Sequence, residues 1–98
     1  QVYTDLFRFS GEERHRVTLR LGRLSCNLLK EEYPRAAGLL RSEGPDHWLL
    51  SLDVCSFQGV GRFVLGLFED VEVVDSPEFE AWLQDKIKDL TKKSVTVS

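Results

Sequence analysis

Gly61-Arg62-Phe63-Val64-Leu65-Gly66-Leu67-Phe68-Glu69-Asp70-Val71-Glu72-Val73-Val74-Asp75-Ser76-Pro77-Glu78-Phe79-Glu80-Ala81-Trp82-Leu83 holds the densest apolar content of the chain. Its reading decides the fold. The first residues close an apolar helix, Glu69-Asp70 is a tight polar link, Val71-Glu72-Val73-Val74 is a short strand, and Ser76-Pro77-Glu78 opens another helix. That opening is well marked. Serine caps free N–H groups, proline suits the first helical position, and the acid faces the positive end of the dipole. Nothing in the stretch carries reaction chemistry.

Working outward on the upstream side, residues 57–67 read as a helix capped by Ser56, with Phe57, Val60, Gly61, Val64, Leu65 and Phe68 on its apolar face. Gly59, Gly61 and Gly66 each weaken that helix by up to about 1 kcal/mol against alanine. Three of them predict that a backbone or a large side chain lies close. Before it, residues 47–54 alternate, with Trp48, Leu50, Leu52 and Val54 on one face. A short apolar segment, residues 36–42, and the turn Glu43-Gly44-Pro45-Asp46 complete a hairpin. Residues 14–21 alternate as well, Val17, Leu19 and Leu21 against Arg16, Thr18 and Arg20. Gly22 ends that strand, and residues 23–32 place Leu24, Leu28 and Leu29 at helical spacing until Pro34 stops them.

The two ends of the chain are less regular. Residues 1–13 hold a small apolar cluster, Tyr3, Leu6, Phe7 and Phe9, closed by Ser10-Gly11, and read as a connecting arm. Downstream, the last helix is expected to bury Phe79, Leu83, Ile87 and Leu90, with Trp82 on its flank, and to end at Lys92-Lys93. Residues 94–98 read as a tail, with an extra strand left open by their β-propensity. The order is therefore β-α-β-β-α-β-α. It predicts an α+β domain over residues 14–93: a ferredoxin-like β-α-β-β-α-β unit with an additional C-terminal helix. The sheet is antiparallel, with helices on one face, and its other face is left to be covered from elsewhere.

Bulk properties bound the function. Ninety-eight residues, 42% hydrophobic and 30% charged, suffice for one domain with one core. A net charge of -3 argues against a broad nucleic-acid footprint. No apolar run approaches the roughly 20 residues of a membrane span, and the first residues do not form a signal peptide. The chain contains no methionine, so it is expected to be a piece of a longer protein. Cys26 and Cys55 read as two reduced, half-buried thiols of a cytoplasmic protein rather than a disulfide framework.

No motif carries catalysis. Gly59-Val60-Gly61 would need its third glycine at position 64 to match a dinucleotide loop, and that residue is Val64. Packing is the better account of these glycines. His15 and His47 lack partners at metal-ligand spacing, and the pairs Glu12-Glu13, Glu31-Glu32 and Glu69-Asp70 fall at loops and helix ends, where charge is usually solvated. No catalytic residue, metal or cofactor is expected. The polar cluster worth weighing is Arg14, Arg16, Arg20 and Arg23, with Arg41 beside it. Arginines on a sheet face can hold phosphates or a nucleic-acid backbone, or they can pair across strands with Asp53 and Glu72.

Three blocks carry a family likeness: Val17-Thr18-Leu19-Arg20-Leu21; Leu29-Lys30-Glu31-Glu32-Tyr33-Pro34-Arg35-Ala36; and Gly61 to Leu67 with Asp70-Val71-Glu72-Val73-Val74 and Ser76-Pro77-Glu78-Phe79. Across residues 7–93 the chain resembles the C-terminal extension, or WCX, domain of WYL-domain-containing bacterial transcriptional regulators. The resemblance implies a non-catalytic dimerisation and signal-relay domain of a cytoplasmic DNA-binding regulator. It implies a homodimer that also contacts the WYL and winged-helix domains of its own full-length chain. DNA would be met only through the N-terminal winged helix, and no membrane is involved. Residues 1–13 would be the linker arm from the preceding WYL domain. The alternative is a small-ligand- or single-stranded-nucleic-acid-binding module working through Arg14, Arg16, Arg20 and Arg23.

Overall fold

A computed structural model describes residues 2–97, with side chains described through Lys92. The arm forms strands β1 (Tyr3–Thr4) and β2 (Ser10–Gly11), paired antiparallel. Then come β3 (His15–Leu21), α1 (Arg23–Glu32), a 3₁₀ helix (Pro34–Leu39), β4 (Leu40–Ser42), β5 (Trp48–Val54), α2 (Phe57–Gly66), β6 (Val71–Val74) and α3 (Pro77–Val97). The main sheet has the order β4-β5-β3-β6, and every neighbouring pair is antiparallel. The protein is thus α+β, with an antiparallel sheet as its centre.

Alternation in β3 and β5 sets which face is buried. The register places Val17 opposite Leu52 and Leu19 opposite Leu50, and all four are almost fully buried. A one-residue slip would turn every one of these side chains to the other face, so the register is strongly fixed. Cys26 and Leu29 of α1, Val60 and Val64 of α2, and Phe79 and Leu83 of α3 complete the same core. All three helices therefore lie on one side of the sheet.

The helices depart from the expected faces in specific ways. Helix α1 turns Ser25, Cys26 and Leu29 inward and leaves Leu24 and Leu28 exposed. Its rotation follows from Ser25, which is bound to Asp70 of the link before β6. Leu65 and Phe68 lie outside the core although both share the apolar reading of α2. On α3, burial ends at Leu83, and Ile87 and Leu90 are exposed. Twenty-one helical residues extend about 32 Å, whereas seven-residue central strands cover about 23 Å, so α3 outruns the sheet that buries its first turns. It also continues through residues 94–97, which therefore form neither tail nor strand. Ser98 lies outside the described residues.

Two expected caps behave differently. Ser56 caps α2 by accepting from the Gln58 N–H at 3.2 Å. Ser76 instead accepts from the Thr18 N–H at 3.0 Å and donates to the Val74 carbonyl at 2.8 Å, tying the start of α3 to the β3–β6 pair. In the hairpin segment only Leu40–Ser42 is extended, because Pro34 begins a 3₁₀ helix that buries Ala36. Gly44 turns the chain before β5 with a φ of 81°, a conformation that glycine adopts without the Cβ penalty.

The arm from Tyr3 to Gly11 is packed into the domain. Phe7 joins the core, edge-on to Tyr33 with ring centroids 5.0 Å apart. Asp5 is 3% exposed, and its Oδ1 accepts from the Phe7 and Phe9 N–H groups while Oδ2 accepts from the Cys55 N–H at 2.8 Å. One carboxylate thus closes the arm's turn and fastens it to the end of β5.

The arginine-bearing sheet face as a candidate functional site

The sheet face opposite the helices is polar. By register it presents Arg16, Thr18 and Arg20 from β3, Leu49, Ser51 and Asp53 from β5, Arg41 from β4, and Glu72 and Val74 from β6. Strand alternation puts them there, since each sits one residue away from a buried position. The expectation that this face needs cover meets a surface made of charges and hydroxyls, with Leu49 and Val74 as its apolar members. Neither is aromatic, so the face offers no ring on which a base could stack.

The four arginines singled out in the sequence are not gathered into one site. Arg14 precedes β3, and its guanidinium lies 4.6 Å from the centre of the Tyr3 ring. Arg23 opens α1 and donates to Asp46 in the β4–β5 turn at 2.7 and 3.1 Å. Arg16 and Arg20 do share the open face, with different partners. Arg20 Nε donates to Glu43 at 2.5 Å and Nη1 donates to Glu72 at 2.8 Å. Those hydrogen bonds, Glu43 first, hold its guanidinium protonated even more firmly than usual, and Arg20 in turn lowers the Glu43 carboxyl below its ordinary value. Arg20 is thereby committed to protein partners.

Arg16 is held far less firmly. Its Nη1 lies 3.4 Å from Asp53, and both side chains are well exposed. Arg41 has no hydrogen bond or ion pair to another side chain among the described residues. Together these two arginines border a shallow concavity of about 530 Å³ that also takes in Gly38, Leu39, Leu40, Leu49 and Ser51. Its lining carries two positive charges and no carboxylate.

The thiols and histidines fill structural positions. Cys26 is buried in the core, and burial raises its thiol pKa, which keeps it a poor nucleophile. Cys55 Sγ donates toward the Tyr3 carbonyl at 3.2 Å, and both cysteines are free thiols. His15 packs on Phe57 with ring centroids 4.9 Å apart and lies 3.7 Å from Glu78. His47 is exposed. No group of three or more His, Cys, Asp or Glu side chains among the described residues could hold a metal ion, and no described helix is long and apolar enough to cross a membrane.

Sequence reasoning missed the two acids that matter most to the structure, Asp5 and Asp70. Asp70, read as solvated charge, accepts from the Ser25 N–H at 2.6 Å and so caps α1. The signal was a helix preceded by Gly22, which has no side chain to cap with. Comparison with protein-family models, curated proteins and solved structures finds no match for this chain.

Proposed function

We propose that this chain is the C-terminal extension of a WYL-type DNA-binding transcriptional regulator, a non-catalytic cytoplasmic module that dimerises the protein and relays the state of its sensor domain. The finer fold assignment, a ferredoxin-like β-α-β-β-α-β unit with α3 added, is supported by the strand order. With β3, β4, β5 and β6 counted first to fourth, the order is second, third, first, fourth, and all pairs are antiparallel. Relay is favoured by the way the arm is fixed, with Asp5 joined to Cys55 and Phe7 in the core. A displacement of whatever is joined to the arm would be carried into β5 and α2.

The observation that carries the assembly role is apolar surface at one end of the helix layer. Phe57 packs on Phe79 and Gly61 faces Trp82, so α2 and α3 run side by side in the same direction. Beyond these contacts Leu65 and Phe68, at and after the end of α2, and Ile87 and Leu90 on α3 are 36%, 69%, 44% and 64% exposed. Exposed apolar side chains on the neighbouring ends of two helices are the surface this reading assigns to assembly. Light scattering and sedimentation at micromolar concentration test it. A dimer that dissociates on Phe68→Glu with Leu90→Glu is expected, and a strict monomer, alone and within the longer regulator, overturns the assembly role.

A further inference from the structure

We infer that the concavity beside β4 is a binding site for a small amphiphilic anion, a carboxylate or phosphate head on an apolar body. This goes beyond the assembly reading and does not depend on it. The chain as a whole has a net charge of -3, yet the lining contributes Arg16 and Arg41 and no acid. Arg41 is exposed and, among the described residues, makes no direct ion pair, although its charge is felt by Glu43. Arg16 has Asp53 at 3.4 Å, well beyond the roughly 2.7–2.9 Å of a charge-assisted hydrogen bond. An arriving anion therefore competes against a weak exposed contact.

The neighbouring Arg20 shows what a satisfied arginine looks like on the same face. Glu43 and Glu72 take its donors. The charge left over on the sheet face is local to this concavity.

Two leucines lie beside the arginines. Leu49, half-buried, shares the open face with Arg41, and Leu39 is 42% exposed, whereas the Leu40 side chain turns to the core side with Leu50. A volume of about 530 Å³ falls within the range of roughly 300–1,000 Å³ usual for small-molecule clefts. Two guanidinium groups beside Leu39 and Leu49 favour one compact anionic group with a hydrocarbon portion. A nucleic-acid strand fits poorly, since it needs a track of positive charge and rings for its bases, and this concavity has two weakly engaged arginines and no ring.

The test is an amide NMR titration of the intact chain with octanoate, octyl phosphate, 1-octanol, inorganic phosphate and a short oligothymidylate. Octanoate or octyl phosphate is expected to shift the amides of Gly38, Arg41, Leu49 and Ser51 and to saturate, with the tighter of the two identifying the head group. Octanol and inorganic phosphate are each expected to bind at least about tenfold more weakly, since each lacks one half of the recognition. Arg16→Gln with Arg41→Gln, two exposed positions, is expected to abolish the response while the rest of the spectrum stays in place. Equal binding of octanol, equal binding of inorganic phosphate, an unchanged response in the double variant, or tighter binding of the oligonucleotide overturns the proposal.

Discussion

The carboxylate of Asp70 accepts a hydrogen bond from the backbone N–H of Ser25 at 2.6 Å, so α1 is capped by a residue 45 positions away. The Ser25 hydroxyl returns a bond to the Asp70 carbonyl at 3.1 Å, and the Gly22 N–H donates to the same carbonyl at 2.9 Å. Helix start, strand end and loop form one unit.

Loss of this cap has a defined size. Asp70→Ala is expected to destabilise the fold by about 1–2 kcal/mol, the upper range for N-cap removal, because an ionised acceptor is lost. For a domain of this length that lowers Tm by roughly 4–8 °C for each kcal/mol. Gly22→Ala should act in the same direction, since a Cβ there would fall on the Asp70 carboxylate and push it off Ser25. Thermal melts of the two single variants and the double variant check this. If the double variant loses no more than the worse single one, the two changes share a cause; strict additivity would show that Gly22 matters for another reason.

Asp5 makes the corresponding test for the arm. Its carboxylate accepts three backbone N–H groups and is almost fully buried. Asp5→Ala leaves those donors without their acceptor, which costs about 1–3 kcal/mol for a buried unsatisfied group. Thr4→Ala, at an exposed neighbouring position, should stay within about 0.5 kcal/mol. Urea unfolding monitored by tryptophan fluorescence separates them. Equal midpoints for the two variants would show that the arm is not part of the cooperative unit.

The core was legible wherever one short-range rule decided it. Val17, Leu19 and Leu21 alternate against Arg16, Thr18 and Arg20, and period two is enough to orient a strand with one wet face. Antiparallel pairing and helices on one side then follow from the order of elements. What could not be read was where a helix stops being covered. Leu65, Ile87 and Leu90 fit the apolar spacing of their helices and are exposed, because spacing fixes an angle around the axis and says nothing of how far the sheet extends beneath it. The arginines show the same limit. Arg16 and Arg20 were placed together by alternation, but whether each was free depended on Glu43, Glu72 and Asp53, which arrive from elsewhere in the chain.

Glycines in α2 give a prediction in which the sign changes within one helix. A Cβ on Gly61 would meet the Trp82 ring, and one on Gly59 would meet Phe7 and Phe9. Gly66 has open space around the same position. Gly61→Ala is expected to destabilise by about 1–3 kcal/mol through overpacking, with Gly59→Ala in the same direction. Gly66→Ala is expected to stabilise by roughly 0.4–1 kcal/mol, because alanine has less freedom to lose in the unfolded chain. Chemical denaturation of the three variants reads the signs directly. A stabilised Gly61→Ala would mean that α2 and α3 are farther apart than the Trp82 contact requires.

The Arg20–Glu43 pair adds a pH dependence whose direction follows from the geometry. Arg20 donates to the Glu43 carboxylate and favours its ionised form, so the folded-state value lies below the ordinary 4.5. A group with a depressed folded pKa contributes its stability above the unfolded pKa and loses it as pH falls through the folded one. The contribution is therefore complete near neutrality and fades as acid is added from about pH 5 downward. Both side chains are partly exposed, so solvent and salt screen the effect. Urea midpoints measured for the natural chain and for Glu43→Gln at about pH 7 and again at about pH 3.5 should differ more at the higher value and converge at the lower one. A gap that stays constant across that range would show that Glu43 stabilises the turn through its uncharged contacts, leaving Arg20 to Glu72 alone.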